Sequence, residues 1–356
     1  MNFKPLTLSQ LGASSELAAQ LTSSLSLGRV ISVNRTLLTV AADEKIAQAT
    51  LAGRLLNTAF EAEDYPTVGD WVGLREVADT AVIERLLPRQ SLLMRKAAGR
   101  TSSAQLIAAN VDVLLICMAL DQNFNLRRLE RYLSLAHASG ALATVVLTKA
   151  DQASDLENQL LTVNAIAGSS PVVVCNAVAA DGLRSLEQLL KPQLTYALIG
   201  SSGVGKSTLI NRLLGNGTLA TQAVRQSDAH GRHTTTGRDL FQLPTGSLVI
   251  DTPGMRELGL LDADVDATFQ DILALVVNCK FNNCTHTHEP GCAVQAAVNT
   301  GQLDAQRLRN YQQLTDEQAE NTALRGRARE EAKINRMFGS KKAMKTAMQQ
   351  ARRKRH

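Results

Sequence analysis

Aromatic side chains make up only 3% of this 356-residue chain, which has a single tryptophan, Trp71. With 44% apolar residues there is ample material for a core, but that core must be mostly aliphatic. No apolar run approaches the roughly 20 residues of a membrane-spanning helix, so no membrane partner is expected. The amino-terminal stretch MNFKPLTLSQLG lacks the basic start and long apolar core of a secretion signal. A cytoplasmic protein is the expectation. Cysteine is also scarce. Of five, Cys117 and Cys175 lie in apolar strand-like runs and read as buried, inert thiols. The other three fall within fourteen residues, from Cys279 to Cys292, and in a chain without a secretion signal they point to metal more than to disulfides.

Charge is present but unevenly distributed. The chain carries 38 Lys/Arg and 33 Asp/Glu; residues 325–356 hold twelve Lys/Arg and two Asp/Glu, leaving 26 against 31 elsewhere. A tail of net +10 on a body of net −5 suits an anionic partner, most simply RNA. A solubilising, frayed helical tail is the plainer alternative.

The chain divides by rhythm. Residues 1–26 read as a short amphipathic helical segment. Residues 27–98 contain short strand-like runs separated by polar turns, the pattern of a small antiparallel barrel, with Trp71 in a strand as a core residue. Between 99 and 261 the apolar runs VDVLLICMA, ATVVLTKA, PVVVCNA, LTYALIG and GSLVIDT alternate with helical patterns such as NLRRLERYLSLAHA. This predicts a mostly parallel sheet covered on both faces, with its ligand beyond the carboxyl ends of the strands. Residues 262–324 turn helical around the cysteine cluster, and the basic tail follows from 325.

Three motifs sit where that sheet would place them. Gly200-Ser201-Ser202-Gly203-Val204-Gly205-Lys206-Ser207-Thr208 fits the phosphate loop G-x-x-x-x-G-K-[ST]. Its glycines let successive backbone N–H groups face phosphates at a helix N-terminus. Lys206 is expected on the β- and γ-phosphates and the Ser207 hydroxyl on Mg²⁺. Some fifty residues on, VIDTPG supplies a D-x-x-G in which Asp251 would organise Mg²⁺ and the Gly254 amide would sense the γ-phosphate. Fifty residues before the loop, Thr148-Lys149-Ala150-Asp151 reads as a base-recognition T-K-x-D with Thr in place of the usual Asn. The Asp151 carboxylate can accept from guanine N1–H and N2–H₂ together, which adenine cannot match. The Lys149 stem can cover the base plane, and the later loop Cys175-Asn176-Ala177 can offer backbone N–H groups to the base. The order is base motif, phosphate loop, D-x-x-G: a circular permutation, tolerated because domain termini often lie close together.

In the carboxy-terminal region, Cys279-x₄-Cys284-x-His286-x₅-Cys292 supplies three thiolates and an imidazole, a closed tetrahedral set suited to structural zinc. On spacing alone His288 could stand in for His286.

These residues, together with residues 227–258 (SDAHGRHTTTGRDLFQLPTGSLVIDTPGMREL), resemble the circularly permuted GTPases of small ribosomal subunit biogenesis, the RsgA (YjeQ) family. The resemblance spans nearly the whole chain. It implies a multidomain α/β protein: an amino-terminal OB-fold barrel, a permuted P-loop GTPase domain and a carboxy-terminal helical zinc-binding domain. It implies GTP with Mg²⁺, one zinc on Cys279, Cys284, His286 and Cys292, and the small ribosomal subunit with its rRNA as partner. Other assembly factors, such as ribosome-binding factor A, and a monomeric state are implied in turn. Met255 follows Gly254 where many GTPases place a water-orienting Gln, and a thioether cannot polarise water. The resemblance supports His233 in that catalytic role. One of Thr234, Thr235 and Thr236 would complete the Mg²⁺ shell, with Thr235 favoured. The expected activity is GTP hydrolysis, slow alone and stimulated by the ribosomal particle late in its maturation. An RNA-binding switch with negligible turnover and a nucleotide-dependent metallochaperone are the competing readings.

Overall fold

A computed structural model of the chain describes residues 5–34, 37–59, 61–77, 80–96, 104–215, 238–251 and 264–338. The first five strands are β1 (Ser26–Asn34), β2 (Leu37–Ala42), β3 (Lys45–Leu51), β4 (Trp71–Val77) and β5 (Thr80–Leu86). Pairing runs β1-β2-β3-β5-β4 and returns to β1, which closes a five-stranded barrel. Only β3 and β5 pair in parallel; the other barrel pairs are antiparallel. The alternation of the strands sends Val30, Leu38, Val40, Ala49, Val72, Leu74, Ala81 and Ile83 into one aliphatic cluster. Asp43 and Glu44, both at positive φ, make the tight turn between β2 and β3.

A two-stranded antiparallel ribbon, β6 (Leu92–Lys96) with β7 (Ala104–Ala109), leads into the second unit. Its strands are β8 (Val113–Ala119), β9 (Leu142–Thr148), β10 (Val172–Val174), β11 (Thr195–Ile199), β12 (Arg238–Gln242) and β13 (Leu248–Asp251), in spatial order β10-β9-β8-β11-β13-β12. The first five in that order are parallel, and β12 closes the row antiparallel to β13. The runs are apolar throughout because helices cover both faces. In helix Leu126–Ser139, Leu129, Leu133 and Ala136 are buried; Asn125 caps its start and Gly140, at positive φ, ends it.

The barrel is joined to this sheet rather than tethered beside it. β1 pairs antiparallel with β12, Ser32 opposite Asp239 and Val33 opposite Arg238, so eleven strands form one continuous sheet. Beneath the seam lies Arg29, 2% exposed. Its Nε donates to Gly69 O (3.1 Å), Nη1 to Leu11 O (2.5 Å), and Nη2 to Asn110 O (3.1 Å) and Thr195 Oγ1 (2.9 Å). The guanidinium also stands 5.0 Å from the ring centre of Trp71, which is buried. Burial lowers its pKa to about 10, opposed by the nearby carboxylates of Asp112 and Asp70.

The carboxy-terminal helices are Val265–Thr268, Gln270–Val276, Ala293–Asn299 and Ala305–Phe338. They pack on helix Leu126–Ser139 through Arg307, whose guanidinium reaches Glu130 (2.7 Å) and both carboxylate oxygens of Asp271 (2.6 and 2.8 Å), and lies over the Phe269 ring. Asn310 donates a second bond to Glu130 (2.6 Å). Among the described residues no helix is long and apolar enough to cross a membrane.

Candidate functional site

The base motif, the second base loop, the phosphate loop and Asp251 lie at or just past the carboxyl ends of β9, β10, β11 and β13. These parallel strands present those ends on one edge, and chain order reverses between β8 and β11, where a ligand crevice forms in open α/β sheets. The sheet thus brings together Thr148, Lys149, Ala150, Asp151, Asn176, Ala177, residues 200–208 and Asp251. His233, Thr235 and Gly254 lie outside the described residues, as do Thr234, Thr236 and Met255.

The phosphate loop curls because its first glycine must. Gly200 has φ 151°, and a Cβ there would lie 2.3 Å from Cys117 O. Gly205, φ 95°, turns the chain into helix Lys206–Leu213. Lys206 folds back over the loop, its Nζ donating to Gly200 O (2.6 Å) and Ser201 O (2.7 Å). Ser207 and Thr208 are exposed in the first turn of that helix.

Thr148 explains the departure from N-K-x-D. It is 2% exposed, and its hydroxyl donates to Val204 O at 2.6 Å. The base motif is therefore bonded to the phosphate loop 56 residues later. Lys149 takes a left-handed conformation (φ 56°) and pairs with Asp121 at 2.8 Å. That hydrogen bond from Lys149 holds the Asp121 carboxyl below its usual pKa. Asp151 is exposed in the short turn Ala150–Gln152. Ala150 N–H donates to Cys175 O (3.3 Å), which links the two base loops. The Asn176 N–H is taken up by Gly182 O at 2.9 Å, and its Oδ1 accepts from Val178 N–H, so the loop is closed on itself. Beneath these loops Cys117 and Cys175 are buried, and burial pushes their thiols up to about 12 and about 11, which keeps them protonated.

Two contributors carried no signal in the sequence. Asp121 is one. Arg128 is the other: its Nη1 donates to Ser201 Oγ at 3.0 Å. Both are charged residues just past a strand or in a helix's first turn, and only the fold brings them to the motifs.

The cysteine cluster also assembles. Cys279, Cys284, His286 and Cys292 each offer a ligand atom, all within 4.8 Å of one another. His286 Nδ1 lies 3.6 Å from Cys279 Sγ and 3.5 Å from Cys292 Sγ, and those two sulfurs are 3.9 Å apart. Four ligands on bonds of about 2.1–2.3 Å to a tetrahedral ion have edges of roughly 3.5–3.8 Å. The cluster can therefore hold a metal ion. His286, at positive φ, turns inward, and its carbonyl accepts from Gln295 Nε2 (2.7 Å) and Gln312 Nε2 (3.2 Å). His288 is exposed and stands outside the set.

This sheet, with the base motif preceding the phosphate loop, defines a circularly permuted P-loop GTPase. A family model described as RsgA GTPase matches residues 86–261. The chain is 50% identical over 326 residues to the small ribosomal subunit biogenesis GTPase RsgA 2 of Lactiplantibacillus plantarum, across 91% of this chain and 92% of that protein. It is 42% identical over 342 residues to the protein of the same name from Vibrio vulnificus, across 94% and 95%. Among solved structures, YjeQ from Thermotoga maritima matches with a TM-score of 0.61 at 26% identity, over 83% of this chain and 99% of that one. YloQ, described as a circularly permuted GTPase, matches at 0.59 and 25% identity, over 84% and 96%. The chain belongs to the RsgA family of GTPases, and it is a GTP hydrolase.

Proposed function

We propose that the chain binds the small ribosomal subunit, acts late in its maturation, and hydrolyses GTP to GDP and phosphate at a rate the particle raises. The observation that carries this reading is the prearranged phosphate loop, with Lys206 lying across two loop carbonyls and Thr148 tying the base motif to the same loop. Such a site meets an anionic ligand with little reorganisation. The names of the relatives supply the partner, and the +10 charge of residues 325–356 supplies a reason for rRNA phosphates to hold it.

In this reading the loop amides of residues 200–208 and Lys206 hold the phosphates. Asp151 accepts from the guanine edge, the Lys149 stem, steered by Asp121, covers the base, and Ala177 is left to offer its N–H because that of Asn176 is engaged. Ser207, Thr235 and Asp251 hold Mg²⁺, which when bound neutralises charge on the β- and γ-phosphates. Gly254 senses the γ-phosphate. His233 orients the attacking water and accepts its proton, the task Met255 cannot perform. Cys279, Cys284, His286 and Cys292 hold one structural zinc, with no position open for substrate. The protein is a cytoplasmic monomer that meets other assembly factors, such as ribosome-binding factor A, on the particle.

The test is GTP turnover with and without purified small subunits, at low and high salt. Strong, salt-sensitive stimulation is expected, and His233→Ala should lose about a hundredfold or more of the stimulated rate while keeping GDP affinity. Nucleotide-dependent docking without stimulation would favour the RNA-binding switch instead.

A further inference from the structure

The loop that receives the phosphates is held from outside as well as by its own glycines. Ser201 is engaged twice: its carbonyl accepts from Lys206 Nζ (2.7 Å) and its hydroxyl from Arg128 Nη1 (3.0 Å). The two bonds act on one residue from opposite partners. Fixing the hydroxyl therefore fixes the peptide whose carbonyl aims the lysine. Arg128 stands in the first turn of helix Leu126–Ser139, where its own N–H satisfies the Asn125 cap at 2.9 Å.

That helix is a firm base for such an arm. Two residues on, Glu130 is 1% exposed and accepts from Arg307 (2.7 Å) and Asn310 (2.6 Å) of helix Ala305–Phe338. Arg131 pairs with Glu317 of the same helix. Ser134 Oγ donates to Thr268 Oγ1 at 2.9 Å. Three residues on two successive turns are thus bonded to the carboxy-terminal helices, and the Arg128 end cannot drift from the loop without breaking buried polar contacts.

We propose that Arg128 is a positioning residue of the nucleotide site: it holds Ser201 so that the loop presents Lys206 to the phosphates. The proposal rests on the phosphate-binding role of residues 200–208. A charge-assisted hydrogen bond to a loop that must keep one shape contributes to affinity by sparing the ligand the work of ordering it.

The test uses the full chain and titrations with fluorescent GDP and GTP analogues. Arg128→Ala should raise the dissociation constant for GDP about tenfold, the worth of one charge-assisted hydrogen bond. Ser201→Ala, which keeps the carbonyl and removes the hydroxyl, should weaken binding by a similar factor. The double variant should be no weaker than either single one, since both remove one interaction. Arg128→Lys should recover most of the loss, and the unfolding midpoint of the nucleotide-free chain should stay at that of the wild type for Ser201→Ala. Wild-type affinity in Ser201→Ala, or additive losses in the double variant, would overturn the proposal even if Arg128→Ala failed to fold. Lys206→Ala separates this from the wider reading. If it loses GDP while Ser201→Ala does not, only Arg128 was misassigned; if it binds GDP normally, the phosphate-loop reading itself fails.

Discussion

Thr148 shows how one residue can serve two ends of a site. A threonine in place of asparagine looks like a weakened base motif, yet its hydroxyl reaches Val204 O at 2.6 Å in a buried position. What the position requires is a short donor that joins the base loop to the phosphate loop, and Thr supplies one. Thr148→Val keeps shape and β-branching but leaves the Val204 carbonyl without this donor. An unmet buried acceptor costs about 1–3 kcal/mol, so GDP affinity should fall roughly tenfold, measurable by titration with a fluorescent analogue. Unchanged affinity would mean that the two loops are held together by other contacts. The four-residue motif was legible in the sequence, because T-K-x-D is local. The tether was not, because 56 residues separate donor from acceptor and no periodicity records the pairing.

At the scale of elements, helix Leu126–Ser139 and the carboxy-terminal helices share one polar junction. Burial pushes the Glu130 carboxyl up, while Arg307 and Asn310 oppose that shift. Burial would also raise Asp271, but the hydrogen bonds and charge of Arg307 prevail and hold it below the usual carboxylate range. A carboxylate with a depressed folded-state pKa stabilises the fold above its unfolded pKa, near 4, and that contribution is lost as pH falls through the folded value. Asp271→Asn should therefore cost about 1 kcal/mol at pH 7, a modest figure because the Asp271 side chain is 45% exposed and solvent screens the pair. Chemical denaturation of both proteins at pH 7 and near pH 3 checks this: the gap should narrow sharply in acid, and an equal gap at both would assign it to packing. The cluster of Cys279, Cys284, His286 and Cys292, which can hold a metal ion, belongs to the same region. Cys292 both faces His286 and caps helix Ala293–Asn299, its sulfur accepting from Gln295 N–H at 3.4 Å. A strong chelator should abolish protection of residues 279–299 in hydrogen exchange while leaving the barrel strands protected. The spacing of these four residues was readable because they lie within fourteen residues, whereas Arg307, with partners 36 and 177 residues away, had no local signature.

Across the whole molecule the question is what makes barrel and nucleotide sheet one body. Short strand-like runs between polar turns foretold a barrel, and apolar runs alternating with helical patterns foretold a parallel sheet, since each pattern is set by its own burial. Their union through β1 and β12 was not foretold, because edge pairing leaves no trace in either pattern. Arg29 secures that union from below, donating to the amino-terminal segment at Leu11, to the barrel at Gly69 and to the second unit at Asn110 and Thr195. Arg29→Met fills part of the volume but leaves these acceptors short of donors in a buried site, at a cost of about 3 kcal/mol or more. The consequence should be a loss of cooperativity as well as stability. Trp71, the only tryptophan, lies against Arg29 and reports the seam by its fluorescence. In the wild type, saturating GDP should raise the denaturation midpoint seen by Trp71, because a ligand that binds only the folded state stabilises every part that unfolds with its site. In Arg29→Met the Trp71 transition should come earlier and no longer respond to GDP, while far-ultraviolet circular dichroism still shows a GDP-stabilised phase from the nucleotide sheet. A Trp71 transition that still moves with GDP in the variant would mean that the β1–β12 pairing alone couples the two units, and that Arg29 adds stability without adding communication.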